Sequence, residues 1–278
     1  MNNKPSYNVG SLFAGIGGMC LAFQDAGANL LWANDNDKFA CETYRANFNQ
    51  NKLFEKDVRE LTSETVLKLG STEILTAGFP CQPFSKAGKL LGFKDPRGNL
   101  FYEIIRFINE LNPKAILLEN VQNLKTHDNQ NTFQTIEDEI KCLGYSFYPV
   151  ILNTFTHSYI PQNRERVFIV GFRKNIKDKI NFQFPGKINK GELKSMRDFV
   201  NRSKKVEEKY YYTPRSQYYE MFREKIINYE RLYHLRRVYV REIQNGLSPT
   251  LTANMGLGGH NVPIIKDRWG IRKLTPRE

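Results

Sequence analysis

The sequence predicts an α/β fold: a doubly wound mixed sheet followed by a smaller, basic, β-rich region. Three observations predict it. Apolar strand-like runs alternate with helical patterns from residue 7 to residue 172, as in crossover-connected strands. Glycines 15, 17 and 18 cluster where the first strand hands over to the first helix, allowing a tight turn and close backbone approach. The charge is also split. Residues 1–172 hold 17 Lys+Arg against 18 Asp+Glu, and residues 173–278 hold 24 against 11, so the net +12 resides in the last third.

Taken in order, residues 7–13 alternate apolar and polar and end in glycines, a strand feeding a helix over 18–26. A short strand at 29–33 precedes a helical pattern at 37–48, with Asp37 as its capping residue. Strands at 74–77 and 115–118 flank a helix at 99–109, and a further helix at 132–143 leads to β-rich stretches at 145–153 and 166–172. These last two follow each other through a loop, which predicts antiparallel pairing and makes the sheet mixed. A domain boundary is expected near 172–186, where the Lys-rich, Pro/Gly-punctuated NFQFPGK interrupts the pattern.

At 278 residues the chain can fill one large domain and a smaller one. No apolar run is long enough to cross a bilayer, and MNNKPSYNV carries no export pattern. Cysteines 20, 41, 81 and 142 have no metal-like spacing. Unpaired thiols without an export signal point to a reducing cytoplasm, and nothing in the sequence suggests a membrane partner. In the basic third, YYYTPRSQYY (210–219) and RLYHLRRVYVR (231–241) interleave Lys and Arg with tyrosine. Such a block is often only a solvated face; with these aromatics it has the composition of a nucleic-acid surface.

The residues with the most chemistry are GFPCQPFS, 78–85. Cys81 stands between two prolines just beyond the 74–77 strand, so a thiol is held on a stiff loop at the sheet edge where ligands bind. A thiol is the strongest side-chain nucleophile near neutral pH. Taken alone, a buried structural cysteine explains it equally well. ENV (119–121) and QNRER (162–166) put a carboxylate and two arginines beside predicted strands; QNRER alone reads as a surface charge cluster. Asp35 lies about twenty residues beyond the glycine turn, where a ribose diol needs an acceptor.

These segments resemble the DNA (cytosine-5) methyltransferases, in that family's order and over nearly the whole chain: SLFAGIGGM (11–19), Asp35 and Asp57, the Pro-Cys-Gln core, ENV, QNRER, then SPTLTANMGLGG (248–259) and RKLTPRE (272–278). The resemblance implies the sheet of the S-adenosylmethionine-dependent methyltransferases and double-stranded DNA as partner. Its implied domains are catalytic at 1–175, target-recognition at 176–270, and a start of return to the catalytic domain at 271–278. It implies S-adenosylmethionine contacts from Phe13, Gly15, Gly17, Gly18, Asp35, Asn36, Asp57, Val58, Pro80 and Leu100. Asn36 stands where the family often has a tryptophan stacked on adenine, which weakens that contact.

The implied catalytic set is Cys81, Glu119, Asn120, Arg164 and Arg166. Cytosine carbon 5 is a poor nucleophile until a thiolate adds to carbon 6 and breaks the aromaticity. Glu119 would donate to ring nitrogen 3 when protonated, a form that burial favours. Asn120 would orient that loop, and the arginines would bind the ring carbonyl and position Glu119. The target base must be flipped from the duplex. Residues 85–98 resemble the mobile loop that closes over it, with Ser85, Lys86, Lys89 and Arg97 near phosphates. Arg241, Thr250, Leu251, Gly256, Gly258 and Gly259 complete the DNA-contacting set.

In the family the chain continues past RKLTPRE with a helix that packs beside the first one. This sequence is therefore expected to be a fragment, an interrupted product, or a subunit completed by a second polypeptide. An RNA cytosine methyltransferase is the alternative enzyme. Its usual Cys-Phe-Thr signature is absent, since the four cysteines are followed by Leu, Glu, Gln and Leu. An inactive or incomplete DNA-binding subunit is the remaining alternative.

Overall fold

Strand β1 (Asn8–Leu12) is buried along almost its whole length, which makes it a central strand with both faces covered. A computed structural model describes residues 6–48, 52–80, 100–236, 238–243, 245–252, 255 and 262–278. Helix α1 (Gly18–Asp25) follows β1 and leads to β2 (Asn29–Asp35), α2 (Lys38–Asn47) and β3 (Lys52–Glu55). Asp37 caps α2 by accepting from the Ala40 N–H at 2.8 Å. Then come α3 (Ser63–Leu67), β4 (Ile74–Ala77), α4 (Leu100–Leu111), β5 (Ala115–Val121) and α5 (Asn131–Cys142). β6 (Tyr148–Asn153), the single turn α6 (Thr154–His157), β7 (Gln162–Asn163), β8 (Glu165–Phe172) and α7 (Lys174–Lys177) continue the chain.

Seven of these strands form one sheet in the order β3-β2-β1-β4-β5-β8-β6. The β1–β2, β1–β4, β2–β3 and β4–β5 pairs are parallel, and β8 is antiparallel to β5, so the sheet is mixed. β6 and β8 are neighbours, with an antiparallel bridge between Tyr145 and Arg173 just outside them. Chain order reverses between β1 and β4, the switch point at whose carboxyl edge open α/β sheets form a ligand crevice. Register sets what reaches that edge. Leu12 pairs with Ala77 and Ala77 with Leu118, so Phe13, Gly78 and Glu119 follow at one level.

The core beneath is built from apolar periodicity. On α4, Phe101, Ile104, Phe107, Ile108 and Leu111 recur on one face and are buried. They pack with Leu12, Leu75, Ile116 and Leu118 of the sheet. Each such side chain contributes roughly 1.5–3 kcal/mol on burial.

Contacts divide the chain into two units: Met1–Ile151 with Arg166–Phe184, and Leu152–Glu165 with Pro185–Glu278. Residues 152–165, from the end of β6 to the first residue of β8, group with the second unit. Residues 271–278 also group there, because Arg272 anchors them. That side chain is fully buried, with Asp267 and Glu278 carboxylates each 2.8 Å from its guanidinium, as a buried charge requires.

In the second unit, α8 (Tyr219–Lys225) packs Phe222 onto a four-stranded sheet made from β9 (Leu232–Arg236), β10 (Tyr239–Ile243), β12 (Pro263–Asp267) and β13 (Gly270–Lys273). Its order is β10-β9-β12-β13, with every neighbouring pair antiparallel. The short β11 (Ser248–Pro249) pairs parallel with β7.

Candidate active site

The glycine turn after β1 is held by backbone hydrogen bonds and by one carboxylate. The Ala14 N–H donates to the Asn34 carbonyl at 2.9 Å. The Gly15 N–H donates to Asp35 Oδ2 at 2.7 Å, and the Asp37 N–H to Asp35 Oδ1 at 2.9 Å. Gly15 and Gly17 sit at φ +57° and +95°, in the left-handed region. The two glycines differ in what surrounds them. A Cβ on Gly17 would lie 2.2 Å from the Phe48 ring, so packing demands glycine there. A Cβ on Gly15 or Gly18 would meet no described atom within 4 Å. Open space beside exposed backbone, with a carboxylate that keeps spare lone pairs, fits a cofactor carrying a ribose diol.

The other expected contact positions lie nearby in the fold or in the core. Asn36 is exposed at the end of β2. Asp57 caps a short 3₁₀ turn and is held by Arg59, whose Nε and Nη2 donate to it at 2.8 and 2.6 Å. The Arg59 guanidinium holds the Asp57 carboxyl below its ordinary value. The Val58 side chain is buried in the main core, leaving its backbone as the part able to meet a ligand. Phe13 and Leu100 pack against that core, and Pro80 is half-buried.

Across the crevice, Glu119 and Arg166 form an ion pair, Nε to Oε1 at 2.9 Å. Antiparallel pairing of β5 with β8 creates it: Arg166 is registered against Val121, on the same face of β5 as Glu119. Both side chains are about four-fifths buried. A Cβ placed on Gly78 would lie 3.6 Å from Glu119 Oε2 and 3.8 Å from the Phe13 carbonyl. The carboxylate thus faces the root of the loop that carries Cys81. Asn120, 2 % exposed, donates from Nδ2 to the Phe79 carbonyl at 3.3 Å, which ties β5 to that same root. Cys81 itself lies outside the described residues, as do Ser85, Lys86, Lys89, Arg97, Gly256, Gly258 and Gly259. Arg164 belongs to the second unit, where its carbonyl accepts from the Thr154 N–H.

In the second unit, His234, Arg236, Arg241, Asn245, Thr250 and Asn163 line a polar groove of about 1050 Å³. Thr250 Oγ1 donates to the Asn163 carbonyl at 2.9 Å, extending the β7–β11 pairing. Leu251 is exposed beside it. Sequence reasoning missed Asn34. Its buried amide donates to the Phe54 and Lys56 carbonyls at 2.9 and 2.8 Å and so positions the turn bearing Asp57. An amide directly after the apolar LLWA run, still within the strand, was the available signal.

Sheet order, glycine turn and edge carboxylates together define the fold of the S-adenosylmethionine-dependent methyltransferases. The crystal structure of a triple mutant of Spodoptera frugiperda DNMT2 has this fold. It superposes with a TM-score of 0.69 over 95 % of this chain and 75 % of that one, at 22 % identity. The match to C-5 cytosine-specific DNA methylases runs over residues 7–278, and the chain belongs to that family. It is similar to the type II methyltransferase M.Bsp6I of Bacillus sp., 45 % identical over 97 % of this chain and 84 % of the relative. It is also similar to M.HaeII of Haemophilus aegyptius, 45 % identical over 67 % of this chain and 55 % of that protein. Its reaction class is therefore DNA cytosine-5 methylation. Among the described residues no helix is long and apolar enough to cross a membrane.

Proposed function

We propose that the chain methylates carbon 5 of a flipped-out cytosine at a specific duplex sequence, as the modification enzyme of a bacterial restriction–modification system. The observation that carries this reading is the Glu119–Arg166 pair facing Gly78, opposite the turn where Asp35 holds Gly15. S-adenosylmethionine, bound along that turn, supplies a methyl group on a sulfonium. Asp35 would accept from its ribose hydroxyls, Asp57 from its adenine amino group, and the Gly15 and Gly18 backbone would lie against it.

The Cys81 thiolate adds to carbon 6 of the cytosine, and the pair of electrons displaced from the 5,6 double bond makes carbon 5 nucleophilic. Glu119 donates to ring nitrogen 3 as charge grows there, and Arg166 fixes the Glu119 carboxyl with its rigid fork. After methylation, solvent water takes the carbon 5 proton, the electron pair of that bond re-forms the 5,6 double bond, and the Cys81 thiolate leaves carbon 6. Asn120 holds the loop root against β5 so that the thiol meets the base at one angle. The site is cytoplasmic and nucleoid-associated in this reading, and double-stranded DNA is its partner.

The test uses duplex DNA with 5-fluorocytosine in place of cytosine, whose fluorine cannot leave as a proton does. A covalent, denaturation-resistant complex should form with the wild-type chain and cofactor, and Cys81→Ser should abolish it while DNA binding persists. Trapping that survives in Cys81→Ser would remove Cys81 from its role.

A further inference from the structure

Beside the polar groove of the second unit lies a smaller pocket of about 250 Å³, lined by Arg197, Arg202, Arg231 and Glu230. Ile243 and Asn245 line both, so the pocket is continuous with the groove edge. Its lining carries three guanidinium groups and one carboxylate. Two of the three have distant, solvent-exposed partners: Arg197 Nε is 3.6 Å from Glu230, and Arg231 Nε is 3.4 Å from Glu242. Arg202 differs. Its Nε is buried and has no hydrogen-bond partner among the described residues, although a buried guanidinium donor normally has one. Burial lowers the Arg202 pKa, opposed by Glu230 and reinforced by Arg272 and Arg197.

A buried donor without an acceptor, beside two further arginines, is an incomplete anion site. A carboxylate from the protein would ordinarily complete it, and none does so among the described residues. The residues lining the pocket all lie within the basic part of the chain. Groove and pocket share Ile243 and Asn245 along one edge.

We propose that this pocket takes one backbone phosphodiester of the bound duplex, gripped by Arg202 with Arg197 and Arg231 around it. It is a sequence-independent clamp, separate from the residues that read bases, and it rests on the DNA methyltransferase reading above. Phosphate contacts of this kind set register on the duplex without selecting sequence. Glu230 is the counterweight: it neutralises part of the cluster without DNA and would disfavour a second phosphate in the pocket.

The experiment measures affinity for two unrelated duplexes between about 50 and 200 mM KCl, with the full chain and with Arg202→Gln, Arg197→Gln and Glu230→Gln. Arg202→Gln should weaken both duplexes about equally, by roughly tenfold at low salt, and reduce the slope of log K against log salt by about 1. Arg197→Gln, whose side chain is 58 % exposed, should shift slope and affinity in the same direction. Glu230→Gln should strengthen binding. Unchanged affinity and slope in both arginine variants would overturn the clamp, as would loss confined to one duplex, which indicates base reading. Inorganic phosphate supplies the other arm. If it raises Tm through Arg202 while DNA binding ignores both arginines, the pocket holds a free anion and the DNA assignment falls. Wild-type binding reports separately on the underlying reading, because a chain that binds no duplex fails there before any variant is compared.

Discussion

Glu119 and Arg166 are 47 positions apart, and an antiparallel register makes them neighbours. Neither residue is informative alone. A carboxylate after a strand and an arginine-rich QNRER both read as surface charge until their order relative to Cys81 is considered. Asp35 was more legible, because an acceptor twenty residues beyond a glycine turn has a geometric reason to be there. Asn34 and Gly78 were not legible, since their roles depend on atoms brought in from other strands. Two expectations belong at this scale. Glu119→Gln retains the shape but changes the proton chemistry, so methyl transfer should fall by about 10²–10³-fold with duplex binding intact. Arg166→Lys keeps the charge and loses the fork, so kcat should drop by about tenfold or more. Steady-state methyl transfer from labelled cofactor checks both, and wild-type rates in either variant would sever that residue from the chemistry.

At the scale of elements, the strand–helix alternation up to residue 172 was readable because each segment keeps a clean period. The excursion of 152–165 was not readable, being too short and irregular to show one. The strands of the second unit were hidden for a related reason: β9, β10, β12 and β13 are four or five residues long and several carry charges on their exposed faces. The junction of β1 with α1 offers a clean separation of folding from binding. Gly17→Ala meets Phe48 and an unfavourable φ together, so it should destabilise by about 2 kcal/mol or more. Gly15→Ala meets no described atom and should cost only about 1 kcal/mol of backbone strain. Its methyl group points into open space that the cofactor would fill, so affinity for S-adenosylmethionine should fall by about tenfold or more. Calorimetry of melting and of cofactor binding distinguishes them. Normal cofactor affinity in a folded Gly15→Ala variant would place the cofactor elsewhere.

For the whole molecule, one buried and one partly buried tyrosine set an alkaline limit and the charge split sets the response to salt. Burial pushes Tyr145, in the first unit, and Tyr212, in the second, up to about 12. A phenol whose folded value exceeds its unfolded value of about 10 favours the folded state fully below pH 10. That contribution is lost as pH rises towards 12. Stability should therefore fall between about pH 10 and 12, and Tyr145→Phe should flatten that fall while lowering stability at pH 8, because its hydroxyl donates to the Pro113 carbonyl. The charge split makes a separable claim. Residues 1–172 are nearly neutral and residues 173–278 carry the excess, so counterion release on DNA binding should come from the latter. Arg236→Gln and Arg241→Gln, both lining the groove, should each lower the salt slope by about 1, and together by about 2. Lys68→Gln and Lys141→Gln, in the first unit and within residues 1–172, should leave it unchanged. Fluorescence anisotropy across a salt series measures all four. Equal effects from the two pairs would mean that DNA senses only total charge and that the basic third has no privileged face.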